Sequence, residues 1–165
     1  MTHTPIDVCL AGCGSIAATW VKTPAFLESV RLVALVDRTV DRAKRFGRDH
    51  GFEAVHCDDD VARAVRVSGA RAVFDCTIPE AHPAVTIAAL EAGCDVLGEK
   101  PMALDLADAR RMVETARRTG RLYAVTQTQR WAPGMRRFRA FLESGVLGRL
   151  CEFHVDFYGD RKSVV

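Results

Sequence analysis

Between the apolar run Ile6–Ala11 and the segment that follows stands the turn Gly12-Cys13-Gly14-Ser15-Ile16-Ala17. Small residues at its first, third and sixth positions let backbone close on a phosphate. Gly12 permits a tight turn, Gly14 lets the main chain approach a pyrophosphate, and Ala17 lets a helix pack on a strand. Ser15 and Ile16 open that helix, whose unpaired N–H groups and positive dipole end suit an anion. Asp37 ends a second apolar run, 20 residues past Ala17. A carboxylate there suits the hydroxyls of an adenosine ribose. Arg38 and Arg42 are of the type that accepts a 2′-phosphate, but Asp37 would repel that group, so NAD is expected ahead of NADP.

A second constellation lies in residues 94–102, CDVLGEKPM, where an apolar pair gives way to Glu99, Lys100 and Pro101. An acid and a base side by side at the end of a strand can serve a ligand or simply make a solvated turn. These residues alone leave both readings open.

The elements that must position these groups alternate. Strands are expected at Ile6–Ala11, Leu32–Val36, Ala54–Cys57, Arg71–Cys76, Asp95–Leu97 and Arg121–Thr126. Helices are expected from Ser15, over 39–50, 59–67, 80–92 and 106–119. Pro83 is tolerated in a first turn, Gly93 and Gly120 close helices, and Asp105 is an N-cap. Continuous apolar strands alternating with helices argue for an α/β fold, a doubly wound parallel sheet covered on both faces. After residue 130 the pattern changes. Met135–Ser144 reads as a helix with Phe138, Phe141 and Leu142 on one side. In 151–158, Cys151, Phe153, Val155 and Phe157 alternate with polar residues, the period of a half-buried antiparallel strand opening a second sheet.

Bulk properties remove other classes. The 165 residues carry a net charge of +2, too little to suggest nucleic acid. The run Arg136-Arg137-x-Arg139 has helical spacing and no aromatic platform, as a solvated helix face does. No apolar run reaches the roughly 18 residues of a membrane span. MTHTPID has no secretory pattern, and the six cysteines form no C-x-x-C pair, so reduced thiols in a cytoplasmic protein are expected. Cysteines and histidines are too scattered for a metal site. Cys13 is most simply a small residue of the turn, with a redox-sensitive thiol as the lesser reading.

Taken together, AGCGSIA, CTIPEAH and GEKPM closely resemble the glucose–fructose oxidoreductase and inositol dehydrogenase family of NAD(P)-dependent enzymes. The likeness runs from about Ile6 to Tyr158 and includes Thr77-x-Pro79-x-x-His82, Arg130-Trp131-x-Pro133 and Gly145-x-x-Gly148. The resemblance implies a Rossmann fold and oxidation of a CH–OH group in a sugar, polyol or similar small molecule. It places Thr77 and Pro79 beside the cofactor's adenosine and ribose, and Glu99 at a ribose hydroxyl near the nicotinamide. Lys100 would reach the reacting oxygen, with Pro101 fixing the turn. Lys100 then acts as electrostatic stabiliser and proton relay, with Glu99 favouring its charged form. The resemblance also keeps His82 near the cofactor, although capping or packing at a helix start is its first reading. For Arg130, the substrate side and plain surface stay open.

The sequence departs from the family in three places. Glu80 stands where asparagine is frequent, and Gln127-x-Gln129 replaces an Asn-rich loop. Nothing after Tyr158 matches the family's second domain, which carries substrate and dimer contacts and a downstream aspartate and histidine. The chain is therefore expected to hold the nucleotide-binding half: a dinucleotide-binding domain at 1–130, a linking helix at 131–148, and at 149–165 the first strand of a truncated α+β domain. A homo-oligomer is expected. A non-catalytic NAD(P)-binding or regulatory module, or an inactive remnant, are the alternative readings.

Overall fold

Burial rises along Ile6–Ala11 (β1), exposed at Ile6 and sealed from Val8 onward, as a strand entering a sheet from its amino edge should be. The computed structural model describes residues 4–156. Within them β1 pairs in parallel with Val30–Val36 (β2) on one side and Ala72–Asp75 (β4) on the other. His56–Asp58 (β3) extends the sheet beyond β2, while Asp95–Gly98 (β5) and Tyr123–Val125 (β6) extend it beyond β4, all parallel. The order β3-β2-β1-β4-β5-β6 is that of the doubly wound nucleotide-binding sheet, and its reversal point falls between β1 and β4.

Alternation along β1 divides the core. Leu10 packs with Leu32, Leu35, Ala43 and Phe46 on the face covered by Ser15–Trp20 (α1), Pro24–Ser29 (α2) and Val40–His50 (α3). Cys9 and Ala11 pack with Val65, Val73, Leu90 and Val96 on the face covered by Val61–Ser68 (α4) and His82–Glu91 (α5), with Leu106–Thr119 (α6) beside α5. Leu10, Leu35 and Leu90 are fully buried, each contributing about 1.5–3 kcal/mol relative to exposure. Local signals end the helices where the sequence expects. The Asp60 and Asp105 side chains cap the N-termini of α4 and α6, and Gly51, Gly69 and Gly120 take left-handed conformations after α3, α4 and α6.

Two boundaries become visible, and one expected element is overturned. The helix from Ser15 stops at Trp20, and α2 begins afresh at Pro24, because proline suits a first turn. A first compact unit ends at Thr126, and a second starts at Gln127. It contains Thr128–Trp131 (α7) and Pro133–Glu143 (α8). The strand expected at 151–158 does not form over 151–156, which is exposed and outside any helix or strand; Phe157 and Tyr158 lie outside the described residues. Among the described residues the second unit has two helices and no strand, so the alternating segment has no ladder partner there.

Candidate functional site

The glycine turn sits at the carboxyl end of β1, over the reversal point of the sheet. Gly12 takes φ +87, and a Cβ on it would lie 2.6 Å from the Cys76 carbonyl group and from the Thr77 nitrogen. Its N–H donates to the Val36 carbonyl at 2.8 Å. Only glycine allows this turn to lie against the loop after β4. Gly14 differs: its φ of −106 suits any residue, and a Cβ there would meet nothing within 4 Å. What glycine leaves open at Gly14 is space, the cradle that a side chain would fill. Ser15 and Ile16 follow as exposed residues of α1.

Asp37, 8% exposed, is held at both oxygens. The Cys13 N–H donates to Oδ2 at 2.9 Å, and the Arg42 guanidinium pairs with Oδ1 at 3.0 Å. A cavity of about 160 Å³ opens beside it, lined by Gly12, Gly14, Asp37, Arg38 and Arg42 from one side and by Cys76, Thr77, Ile78 and Ala81 from the other. Pro79 belongs to the same loop without lining that cavity. The Cys13 thiol is pushed up to about 12, by burial first and the Asp37 charge second. This environment opposes a reactive thiolate.

Beyond β4 the loop is organised by Asp75, which is fully buried. Its Oδ1 accepts the N–H and hydroxyl of Thr77, and Oδ2 accepts the Thr86 hydroxyl at 3.1 Å. Burial raises its pKa against these hydrogen bonds. His82, first residue of α5 and 2% exposed, places Nδ1 2.8 Å from the Pro101 carbonyl oxygen and Nε2 3.1 Å from that of Thr77. It packs, as its first sequence reading held, and it also ties two loops of the site together.

Glu99 follows β5, with its N–H donating to the Asp75 carbonyl at 2.9 Å. Lys100 is exposed and joined to Pro101 by a cis peptide bond. The Glu99 carboxylate does not pair with the Lys100 ammonium among the described ion pairs. It accepts the Trp20 indole N–H at 3.0 Å and the Lys100 main-chain N–H at 3.1 Å. Adjacent charges of opposite sign thus meet through the backbone, which fixes the acid and leaves the base exposed.

The first unit therefore gathers Gly12, Gly14, Asp37, Arg38, Thr77, His82, Glu99 and Lys100 at one edge of its sheet. Arg130 lies on α7 in the second unit, exposed. Trp20 and Asp75 went unrecognised in the sequence. A tryptophan ending the helix after a glycine turn was the available signal for the first, since a part-buried indole needs an acceptor. Larger hollows lie elsewhere: about 340 Å³ at Ile6, Arg71 and Asp95, and about 550 Å³ at Met102, Val113 and Tyr123. Neither gathers such groups, so convergence of side chains rather than volume marks the site.

A parallel sheet of this order, with a glycine turn and a carboxylate at its reversal point, defines a dinucleotide-binding Rossmann domain. Residues 6–127 match the oxidoreductase family with an NAD-binding Rossmann fold, and the chain belongs to that family. It is 34% identical over 154 residues to D-glucoside 3-dehydrogenase of Escherichia coli K12, covering 91% of this chain and 42% of that protein. It is 31% identical to inositol 2-dehydrogenase of Streptomyces avermitilis, over 90% of this chain and 43% of the relative. The WlbA dehydrogenase of Bordetella pertussis, solved in complex with NADH and UDP-GlcNAcA, superposes with a TM-score of 0.80 at 25% identity, over 90% of this chain and 42% of that one. The chain thus spans less than half the length of these relatives. Among the described residues no helix is long and apolar enough to cross a membrane.

Proposed function

We propose that this chain carries the nucleotide-binding part of an NAD(P)-dependent dehydrogenase that oxidises a CH–OH group of a sugar, polyol or similar small molecule. The observation that carries the reading is the position of Glu99 and Lys100 at the carboxyl end of β5, on the sheet edge that also holds the glycine turn. Ligands of open α/β sheets bind at that edge. A bound nicotinamide supplies the hydride acceptor. The chain's own residues bind, orient and move the proton. The opening over Gly14 takes the pyrophosphate. Asp37 retains acceptor capacity for adenosine hydroxyls, which favours NAD, while Arg38 and Arg42 leave NADP as the second cofactor. Thr77 and Pro79 border the adenosine ribose, and Glu99 receives a ribose hydroxyl near the nicotinamide.

Oxidation of an alcohol frees a proton as the oxygen becomes a carbonyl. The exposed Lys100 ammonium passes one of its protons to solvent, takes the alcohol proton in its place, and so remains the donor that stabilises the oxygen while it is alkoxide-like. A second domain completes the substrate pocket in this reading, and the working protein is a cytoplasmic homo-oligomer. The test joins the chain to the second domain of a relative and assays NAD- and NADP-linked oxidation of sugars and polyols. Lys100→Met should lower kcat by about 10²–10⁴ while cofactor affinity stays near normal. Near-normal turnover in that variant would make the Glu-Lys-Pro turn structural.

A further inference from the structure

Trp20 and Glu99 lie 79 residues apart in the chain, yet the indole N–H reaches Oε1 at 3.0 Å. The indole is itself held from below. Its ring meets Phe74 of β4 edge-on, with centroids 5.3 Å apart and planes at 72°, and Phe74 meets Phe26 of α2 in the same manner at 5.9 Å. Tryptophan has one donor and no acceptor, so this contact ties one carboxylate oxygen to the ring edge. The other oxygen accepts the Lys100 main-chain N–H. A carboxylate accepts about four hydrogen bonds; with one taken on each oxygen, about one remains on each. That leaves a pair of parallel acceptors, which matches a vicinal diol. Asp37 is prepared in the same way, with Oδ2 held by Cys13 and Oδ1 by Arg42.

We propose that Trp20 is a positioning residue: its indole N–H presets the Glu99 carboxylate to receive the diol of the nicotinamide-side ribose. The inference rests on the proposed role of Glu99 and adds to it the residue that orients the acid. Presetting matters because a glutamate otherwise loses its rotamer freedom at the moment of binding, which weakens the complex. Trp20→Phe keeps an aromatic ring against Phe74 and deletes only the donor.

The test uses the full chain and measures dissociation constants for NADH and for adenosine diphosphate, which reaches only the glycine-turn and Asp37 end. Trp20→Phe should weaken NADH about tenfold, a step of about 1.4 kcal/mol, and leave adenosine diphosphate within about twofold. Glu99→Gln should also weaken NADH, and the double variant should bind no worse than Glu99→Gln alone. The indole N–H resonance of Trp20 should move on Glu99→Gln and on adding NAD, and stay in place on adding adenosine diphosphate. This reading needs no variant at Trp20 to fold. Equal weakening of both ligands by Trp20→Phe would reduce the tryptophan to a packing residue and overturn the proposal. So would unchanged NADH affinity in Trp20→Phe when Glu99→Gln loses it. Unchanged NADH affinity in Glu99→Gln would remove the role of Glu99 itself, and the proposal with it.

Discussion

His82 and Pro101 meet across 19 residues of sequence, the ring Nδ1 2.8 Å from the Pro101 carbonyl oxygen. The opposite ring nitrogen faces the Thr77 carbonyl at 3.1 Å. One imidazole thus spans the loop after β4 and the Glu-Lys-Pro turn after β5, the two segments that flank the candidate cofactor. A neutral imidazole donates from one nitrogen only, so the tautomer decides which of the two carbonyls takes the ring N–H. Replacing His82 by leucine fills similar space and donates nothing. The expected cost is about 1–3 kcal/mol of folding stability, read by urea denaturation, together with weaker NADH binding as both loops loosen. A variant with unchanged stability and affinity would show that neither carbonyl relies on the ring.

The two glycines of the turn should fail in different ways. Gly12→Ala puts a Cβ 2.6 Å from main-chain atoms of Cys76 and Thr77 at φ +87, so the folded state itself should suffer, and the melting temperature should fall before any ligand is added. Gly14→Val adds a Cβ that meets nothing within 4 Å. It should melt close to the parent protein and lose NADH binding, because its side chain occupies the space a pyrophosphate would take. Retained NADH binding in Gly14→Val would remove the glycine-turn argument.

Asp37 should discriminate between cofactors. Its carboxylate, already tied to Cys13 and Arg42, is suited to hydroxyls and repels a 2′-phosphate. Asp37→Ala should therefore weaken NADH more than NADPH, and it frees the Arg42 guanidinium to favour the phosphate. Titration of both cofactors checks this; equal losses would mean that Asp37 does not contact the ribose.

What the sequence disclosed follows from how locally each feature is encoded. Strands β1, β2, β4 and β5 were legible because a parallel strand covered on both faces is apolar throughout. The helices from α3 to α6 were legible because glycine or aspartate marks their ends. Strand β3 came out as Ala54–Cys57 rather than His56–Asp58, since three residues ending in aspartate carry little pattern. The cysteine-to-phenylalanine alternation at 151–157 misled in the opposite sense: period 2 states which face a strand would bury, not whether a partner is present. At the site, Gly12, Gly14 and Asp37 announce themselves by spacing. The bonds from Trp20 to Glu99 and from His82 to Pro101 and Thr77 do not, because folding alone brings those residues together.

A pH dependence should originate at Asp58, far from the glycine turn in the chain. Its carboxylate, 4% exposed, accepts the Arg63 guanidinium, the N–H groups of Asp59 and Asp60, and the His56 ring. The Arg63 hydrogen bonds are the main cause that holds it well below the usual carboxylate range; burial opposes them, and the Asp60 N–H, His56 and Asp59 N–H assist. Because the folded value lies below the unfolded one, the contribution is fully present above the ordinary carboxylate range and is lost progressively as pH falls from that range through the lower folded value. Asp58→Asn should be less stable than the parent near about pH 6 and should flatten the acid limb of the stability curve. Urea denaturation at several pH values reads both effects, and parallel acid limbs would locate the titration elsewhere.

Self-association should originate in the second unit. Helix α8 buries none of its residues, although Met135, Phe138, Phe141 and Leu142 mark an apolar side. Phe138 meets Phe153 with ring centroids 5.5 Å apart, yet Phe141 remains 46% exposed, Phe153 54% and Val155 65%. Clustered exposed apolar groups of this kind favour association over solvation, and an alternating segment without a ladder partner offers free N–H and C=O groups to another chain. The 165-residue protein should therefore form dimers or larger species as concentration rises. A version ending at Thr126, where the first unit closes, should stay monomeric and still bind NADH, since every residue placed around the glycine turn precedes that point. Light scattering on both at matched concentration, with and without NADH, makes the comparison. A monodisperse monomer of the full chain, with 151–156 protected from hydrogen exchange, would mean that this segment finds cover within its own molecule.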